Sequence, residues 1–139
     1  MTRIVAGAAK GRTIKVPASG TRPTSERVRE ALFSRLDHLG YIEGCAVLDL
    51  YSGSGALGLE AASRGAAFVE CVESSRKAAE LIRANARALN LRAKVSCMRV
   101  ESRLADPSQT VFDVVFLDPP YDLDEGRLAA VLARLPGVL

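Results

Sequence analysis

Three clusters in the 139-residue chain combine residue types that can carry chemistry. The first is Asp49-Leu50-Tyr51-Ser52-Gly53-Ser54-Gly55-Ala56-Leu57-Gly58, in which Gly53, Gly55 and Gly58 satisfy a G-x-G-x-x-G pattern. Placed between a strand and a helix, that pattern lets backbone approach a ligand closely, and a nicotinamide or flavin dinucleotide is one ligand it admits. Asp49 weighs the other way. A carboxylate at the strand end meets a pyrophosphate with like charge, whereas it attracts a cofactor that carries an ammonium and a sulfonium. The Asp-x-x-x-Gly-x-Gly turn therefore favours S-adenosylmethionine. The second cluster centres on Glu73, an acceptor able to take both hydroxyls of a ribose. That role is shared by dinucleotide and adenosylmethionine folds, so Glu73 supports a nucleoside without choosing between them. Ser74 and Ser75 beside it suit the cap of a following helix.

The third cluster is Val114-Val115-Phe116-Leu117-Asp118-Pro119-Pro120-Tyr121. Two prolines stiffen the backbone and remove two amide donors, leaving carbonyls free to accept. An exocyclic amine needs acceptors of that kind, because its lone pair is delocalised into the base ring. In-line attack on a methyl requires its hydrogens to be held, here by the Asp118 carboxylate and the Pro119 carbonyl, so that tetrahedral nitrogen is favoured as charge builds. Tyr121 would stack on the base, a contact worth about 1–3 kcal/mol in single-strand binders.

These residues need elements to hold them. Residues 3–6 and 12–17 are short β-compatible runs separated by Gly7 and Lys10-Gly11, which predicts a hairpin. Arg22-Pro23-Thr24 opens a helix in which Val28, Leu32, Leu36 and Leu39 recur at three- and four-residue spacing, closed by Gly40. Strands are predicted at 46–51, 68–73, 94–100 and 111–118, with helices at 55–64, 75–89 and 125–135. The 75–89 helix carries Ala78, Leu81, Ile82, Ala86 and Leu89 on one face, and Asn90 is its left-handed stop. Strands alternating with helices mean a parallel sheet with right-handed crossovers, and ligands of such sheets lie beyond the carboxyl ends of the strands. Residues 49–52, 73–75, 99–101 and 118–121 are then the site candidates.

At 48% hydrophobic and 25% charged residues, the composition is that of one globular domain able to bury a core. No apolar run reaches the roughly 18 residues a membrane span needs, and no apolar segment follows Met1, so a cytoplasmic location is expected. The net charge of +3 is unevenly spread. Residues 1–25 hold Arg3, Lys10, Arg12, Lys15 and Arg22 with no acid, while the remainder holds 14 bases and 16 acids. The basic segment is either a solvated tail or a phosphate-contacting arm. Cys45, Cys71 and Cys97 lack C-x-x-C spacing and read as small buried hydrophobes in strands, and no metal is expected. His38, the only histidine, reads as a surface residue in the last turn of its helix.

Beyond the chemistry of single clusters, the chain resembles the RsmD family, bacterial methyltransferases that modify N2 of a guanine in small-subunit ribosomal RNA. The resemblance runs through Arg3-Ile4-Val5-Ala6-Gly7 and Lys10-Gly11-Arg12, through Arg22-Pro23-Thr24 and Arg27-Val28-Arg29-Glu30-Ala31-Leu32-Phe33, and through Asp49 to Ala61 and Asp118 to Tyr121. Asp-Pro-Pro-Tyr alone is common to DNA and RNA amino-methyltransferases; the N-terminal segments narrow the likeness. It implies a Rossmann-like class I fold with S-adenosylmethionine as cofactor. It also implies a basic arm over residues 1–23 and a methyltransferase domain over 24–139. Asp49, Gly53 and Gly55 would hold the methionine part, Glu73 the ribose, and Thr24, Tyr51, Ser52, Ser74 and Val100 further parts of the cofactor. Pro23 and Arg27 would lie with Thr24 near its carboxylate end. Asp118, Pro119, Pro120 and Tyr121 would hold the target guanine, and Arg3, Lys10, Arg12, Lys15 and Arg22 would grip RNA phosphates. The implied partner is 16S ribosomal RNA or a small-subunit assembly particle, met by a monomer.

The sequence departs from the family in two places. Where an acidic residue or asparagine often meets the adenine amine, this chain has Arg99-Val100-Glu101, so the contact rests on backbone or on Glu101. Methyltransferases of this fold also have seven strands, and only four core strands are counted here. The C-terminal strands of the fold are read as missing, leaving an edge and apolar surface uncovered. The rival functions are a DNA amino-methyltransferase, a non-catalytic RNA-binding assembly factor and, more remotely, a dinucleotide oxidoreductase.

Overall fold

The computed structural model describes residues 2–17, 25–106 and 110–139. Arg22, Pro23 and Thr24, to which the sequence assigns RNA and cofactor contacts, lie outside the described residues.

The chain runs β1 (Thr2–Arg3), β2 (Thr13–Ile14), α1 (Glu26–Leu39), β3 (Ala46–Leu50), α2 (Ala56–Ser63), β4 (Phe68–Glu73), α3 (Arg76–Ala88), β5 (Lys94–Cys97), α4 (Val100–Ala105), β6 (Val114–Leu117) and α5 (Glu125–Arg134). It closes on a 3₁₀ turn at Leu135–Gly137. Strands β3 to β6 form one parallel sheet in the order β5-β4-β3-β6. The chain steps outward from β3 through β4 to β5, then α4 returns it to the far side of β3. The reversal falls between β3 and β6, and a parallel sheet opens a crevice at such a point. Register there is fixed by Leu50 opposite Leu117, so the next residues of both strands emerge side by side.

Alternation along β3 divides the core. Val47 faces Phe33, Ile42, Ala61 and Ile82 on one side of the sheet, while Leu48 and Leu50 face Val100, Leu104 and Val131 on the other. The expected four strands, the two expected crossover helices α2 and α3, and the hairpin are all present. β1 and β2 pair antiparallel, with Thr2 opposite Ile14, over two residues each. Ile4, Ala9 and Ile14 bury this arm against Ala56 and Leu59 of α2 and Ala86 of α3. The last helix is capped by Asp124, and Asn90 takes φ +55° as a left-handed stop. β5 and β6 are the edges of the sheet among the described residues. No described helix is long and apolar enough to cross a membrane.

Three expectations need correction. The segment 94–100 is not one strand: β5 stops at Cys97 and Val100 begins α4, with Val100, Arg103 and Leu104 turned inward at helical spacing. The apolar stripe of α1 is not its buried face. Val28 and Leu39 are 55% and 53% exposed, whereas Arg29 and Phe33 are fully buried. Arg29 wins the inward position because its guanidinium meets Glu60 at 3.1 Å and the Arg3 carbonyl at 2.8 Å. Of the cysteines only Cys71 is buried; Cys45 is half-buried and Cys97 exposed.

Candidate cofactor and substrate site

The Gly-rich turn is built around Asp49. The carboxylate, 1% exposed, accepts from the Ser52 hydroxyl at 2.7 Å and the Gly58 amide at 2.9 Å, both on Oδ2. It therefore spans the turn and pins the start of α2 to the end of β3. Burial pushes its pKa up to about 7, the Ser52 and Gly58 hydrogen bonds oppose the rise, and the nearby Asp118 and Glu73 charges add to it. Gly58 is required by packing, since a Cβ there would stand 2.5 Å from the Cys71 sulfur. Gly55, at φ +82°, caps α2 and would meet Ile82 at 2.9 Å if it carried a Cβ.

Glu73 ends β4 and gives one oxygen to each of two backbone amides, Gly53 at 2.9 Å and Ser75 at 2.8 Å. It thereby joins the glycine turn to the start of α3, whose cap is Ser75. Beside it opens a cavity of about 340 Å³ at the carboxyl end of the sheet. Tyr51, Glu73, Ser74, Val100, Glu101 and Pro120 contribute to its walls. Asp49, Ser52, Gly53 and Gly55 are not among the lining residues, so they form the turn behind it.

Tyr51 decides whether a ligand suits this cavity. Its backbone sits at φ +56°, a region that non-glycine residues rarely adopt, and its hydroxyl is buried with no hydrogen-bond partner. A buried hydroxyl without a partner costs about 1–3 kcal/mol. Desolvation and the nearby Glu101 charge raise the Tyr51 pKa, so the hydroxyl stays protonated and can donate. Glu73 on the same wall is an acceptor of the kind the hydroxyls of a nucleoside require. The residues present fit S-adenosylmethionine. On the far wall the adenine candidates are settled in position: Val100 is buried at the start of α4, and Glu101 is held by Arg127 of α5 at 2.8 Å.

Asp118, Pro119, Pro120 and Tyr121 follow β6 directly. Asp118 is exposed, Pro119 half-buried, Pro120 in the cavity wall and Tyr121 91% exposed. Asp49, Glu73 and Asp118 are close enough for mutual repulsion to register on Asp49, so three carboxylates from three strands meet at one end of the sheet. Of the basic residues assigned to the arm, Lys10 and Lys15 are exposed, Arg3 is paired with Glu26 at 2.7 Å, and Arg12 donates to the Ala88 carbonyl at 3.1 Å. No three His, Cys, Asp or Glu side chains among the described residues gather to hold a metal.

The family model described as conserved hypothetical protein 95 matches residues 2–137. The ribosomal RNA small subunit methyltransferase D of Haemophilus influenzae is 40% identical over 135 residues, covering 94% of this chain and 69% of that protein. The chain belongs to the RsmD family. The RsmD-family relative of Escherichia coli is 41% identical over 121 residues, 86% of this chain and 60% of its own length. The chain thus spans between three fifths and about seven tenths of these two relatives. Among solved structures, a hypothetical protein of Thermus thermophilus superposes with a TM-score of 0.87 at 39% identity, over 96% of this chain and 78% of that one. A tRNA (uracil-54, C5)-methyltransferase of Pyrococcus abyssi, in complex with S-adenosyl-L-homocysteine, superposes at 0.62 with 28% identity, over 86% and 29%. The RsmD-family fold is the α/β methyltransferase fold, with its parallel sheet and N-terminal hairpin.

Sequence reasoning passed over Arg127 and Glu60. Arg127 reaches Glu101 across 26 residues, a pairing with no local signal. Glu60 is fully buried in α2, where each oxygen takes an arginine and one amide of the arm, Val5 at 2.9 Å and Ala6 at 3.1 Å. The one available signal was its place in an otherwise apolar helix, where a buried acid demands partners.

Proposed function

We propose that the chain is an S-adenosylmethionine-dependent methyltransferase acting on the exocyclic N2 of a guanine in 16S ribosomal RNA, free or within a small-subunit assembly particle. One observation carries the reading: the Tyr51 and Glu73 cavity and the Asp-Pro-Pro-Tyr turn emerge from adjacent strands at the reversal of the sheet. The names of the RsmD relatives support ribosomal RNA of the small subunit as the substrate class, and the family resemblance supports the guanine.

When bound, the cofactor supplies an electrophilic methyl on its sulfonium. The chain's residues then have separate tasks. Glu73 accepts from the ribose hydroxyls, and Tyr51 borders the cofactor on the same wall. Asp49, Ser52, Gly53 and Gly55 fix the turn behind the methionine part, with Thr24 near its carboxylate. The wall residues Ser74 and Val100 border the adenosine. Asp118 and the Pro119 carbonyl accept the two amine hydrogens of the guanine, orienting its nitrogen toward the methyl, while Pro120 holds the turn rigid and Tyr121 stacks on the base. Residues 1–23 form the RNA arm and residues 24–139 the methyltransferase domain. Bringing a base into this pocket costs a few kcal/mol of unstacking, least where the base is already unpaired.

Titration calorimetry with S-adenosylhomocysteine and, in parallel, NADH tests the cofactor assignment. S-adenosylhomocysteine alone is expected to bind; heat from NADH alone would return the glycine turn to the dinucleotide class. Radiolabel transfer from S-adenosylmethionine to unmodified small subunits tests the reaction. Asp118→Ala is expected to reduce transfer by about 100-fold or more with cofactor affinity retained. Undiminished transfer would remove Asp118 from the chemistry.

A further inference from the structure

A second, larger concavity lies at the opposite end of the sheet. A groove of about 590 Å³ opens where β4 and β5 begin, rimmed by Arg83 and Arg87 of α3, Arg92 of the following loop and Lys94 of β5. Its floor includes Phe68 and Leu91. From Phe68 to Glu73 the strand β4 advances about 17 Å, at a rise near 3.3 Å per residue, so the groove is separate from the cofactor cavity.

Its charge is unbalanced. Residues 76–94 contain six bases and one acid, Glu80, and that acid is taken by Arg83. Arg83 also donates to the Val95 carbonyl at 3.0 Å, which fixes it on the rim. Arg87, Arg92 and Lys94 are exposed and form no salt bridge among the described residues; Lys94 stands opposite Glu70, whose carboxylate is taken by Arg103. Arg83 and Arg87 stand four residues apart on one helix, on the same face. Phe68, 37% exposed and stacked on Phe112 at 6.0 Å, presents a rigid half-open ring at the edge.

We propose that this groove holds a stretch of single-stranded RNA outside the target nucleotide. Three features favour RNA over an acidic protein. Arginine forks match phosphate geometry. A fixed aromatic ring beside cations suits base stacking, the usual construction of a single-strand platform. The groove also continues the basic arm: Arg12 docks on the Ala88 carbonyl, one residue from Arg87, and Asn85 of α3 binds the Lys15 backbone at 3.0 and 2.9 Å. Arm and groove form one cationic track across the end of α3. The inference rests on the RNA part of the function proposed above, not on its cofactor part.

The test is fluorescence anisotropy of the full chain with a labelled single-stranded RNA of about 16 nucleotides, across a salt series. The triple variant Arg87→Ala, Arg92→Ala, Lys94→Ala is expected to bind about tenfold or more weakly, with the slope of log affinity against log salt reduced by about 2. The conservative variant Arg87→Lys, Arg92→Lys, Lys94→Ala is expected to recover most of the slope. A thermal melt followed by circular dichroism serves as the readout of an intact fold. An unchanged RNA affinity and slope in the triple variant would overturn the proposal. So would a polyglutamate peptide that displaces the RNA at a lower concentration than unlabelled RNA does, marking an acidic protein as the partner. If the unaltered chain binds no S-adenosylhomocysteine but loses the salt slope on substitution, the methyltransferase reading fails and the groove stands.

Discussion

Asp49 is the residue whose role changes most between sequence and structure. Its type and place at a strand end are plain in the sequence, and they point to a charge offered to a cofactor. Three-dimensional packing puts that carboxylate out of the cavity, under the turn, on Ser52 and Gly58. No local pattern foretells this, because it depends on the closeness of α2 to β3 that Gly58 permits. With the folded pKa raised by burial to about 7 from an unfolded value near 3.8, the folded state holds a proton that the unfolded state has released across that window. Stability from this group is fully present below about pH 4 and is lost as pH rises toward and through 7, a swing on the order of 4 kcal/mol at most. Asp49→Asn keeps an acceptor and removes the titration. Urea denaturation at intervals from pH 4 to 8 is expected to give a flatter stability profile for the variant than for the parent; identical slopes would place the titrating group elsewhere.

Among the elements, regular alternation was legible and exceptions were not. β3, β4, α2 and α3 fall where the sequence predicts, the strands as apolar runs, α2 by its Gly55 cap, and α3 by its periodic apolar face and Ser75 cap. α4 was missed because its six residues follow β5 after only two, too short a stretch for an apolar period to declare itself. In α1 the apolar stripe misled, because a buried ion pair outweighed it. The arm depends on Gly7, at φ +88°, where a Cβ would lie 1.9 Å from the Ser63 carbonyl oxygen. That oxygen accepts the Ala8 amide at 2.8 Å, and the Ser63 hydroxyl accepts the Ala9 amide at 2.9 Å. Gly7→Ala must push these apart. Hydrogen exchange at Ala8 and Ala9 is expected to accelerate in the variant while amides of β3 and β4 keep their protection. Retained protection of Ala8 and Ala9 would show that the arm is held by other contacts.

Across the whole molecule, two buried ionic clusters join elements distant in sequence. Glu60 binds Arg29 and Arg64, and Arg64 reaches Asp37 at 2.7 Å, tying arm, α1 and α2 together. On the other side Glu70 of β4 takes Arg103 of α4 at 2.6 Å and Ser96 of β5 at 2.9 Å. Burial alone would raise the Glu70 pKa, but Arg103 and Ser96 hold it below the usual carboxylate range. Arg103→Leu strands that charge and is expected to cost about 3–5 kcal/mol in chemical denaturation. A loss under about 1 kcal/mol, on the scale of an exposed pair, would contradict the burial. The parallel sheet followed from the alternation of strands and helices, whereas the strand order and these pairings could not be read, because sequence does not say which charges meet across 31 or 33 positions. Besides its buried Ile4, Ala9 and Ile14, the arm is fastened by main-chain amides and a carbonyl, at Val5, Ala6, Ala8 and Ala9, to Glu60 and Ser63. The side chains of Lys10 and Lys15 take no part in that fastening. On the function proposed above, the two lysines can change without loosening the arm, whereas Arg3, held by Glu26, and Arg12, held by the Ala88 carbonyl, serve attachment as well as recognition. Drift in substrate preference is thus open at the lysines and closed at the arginines.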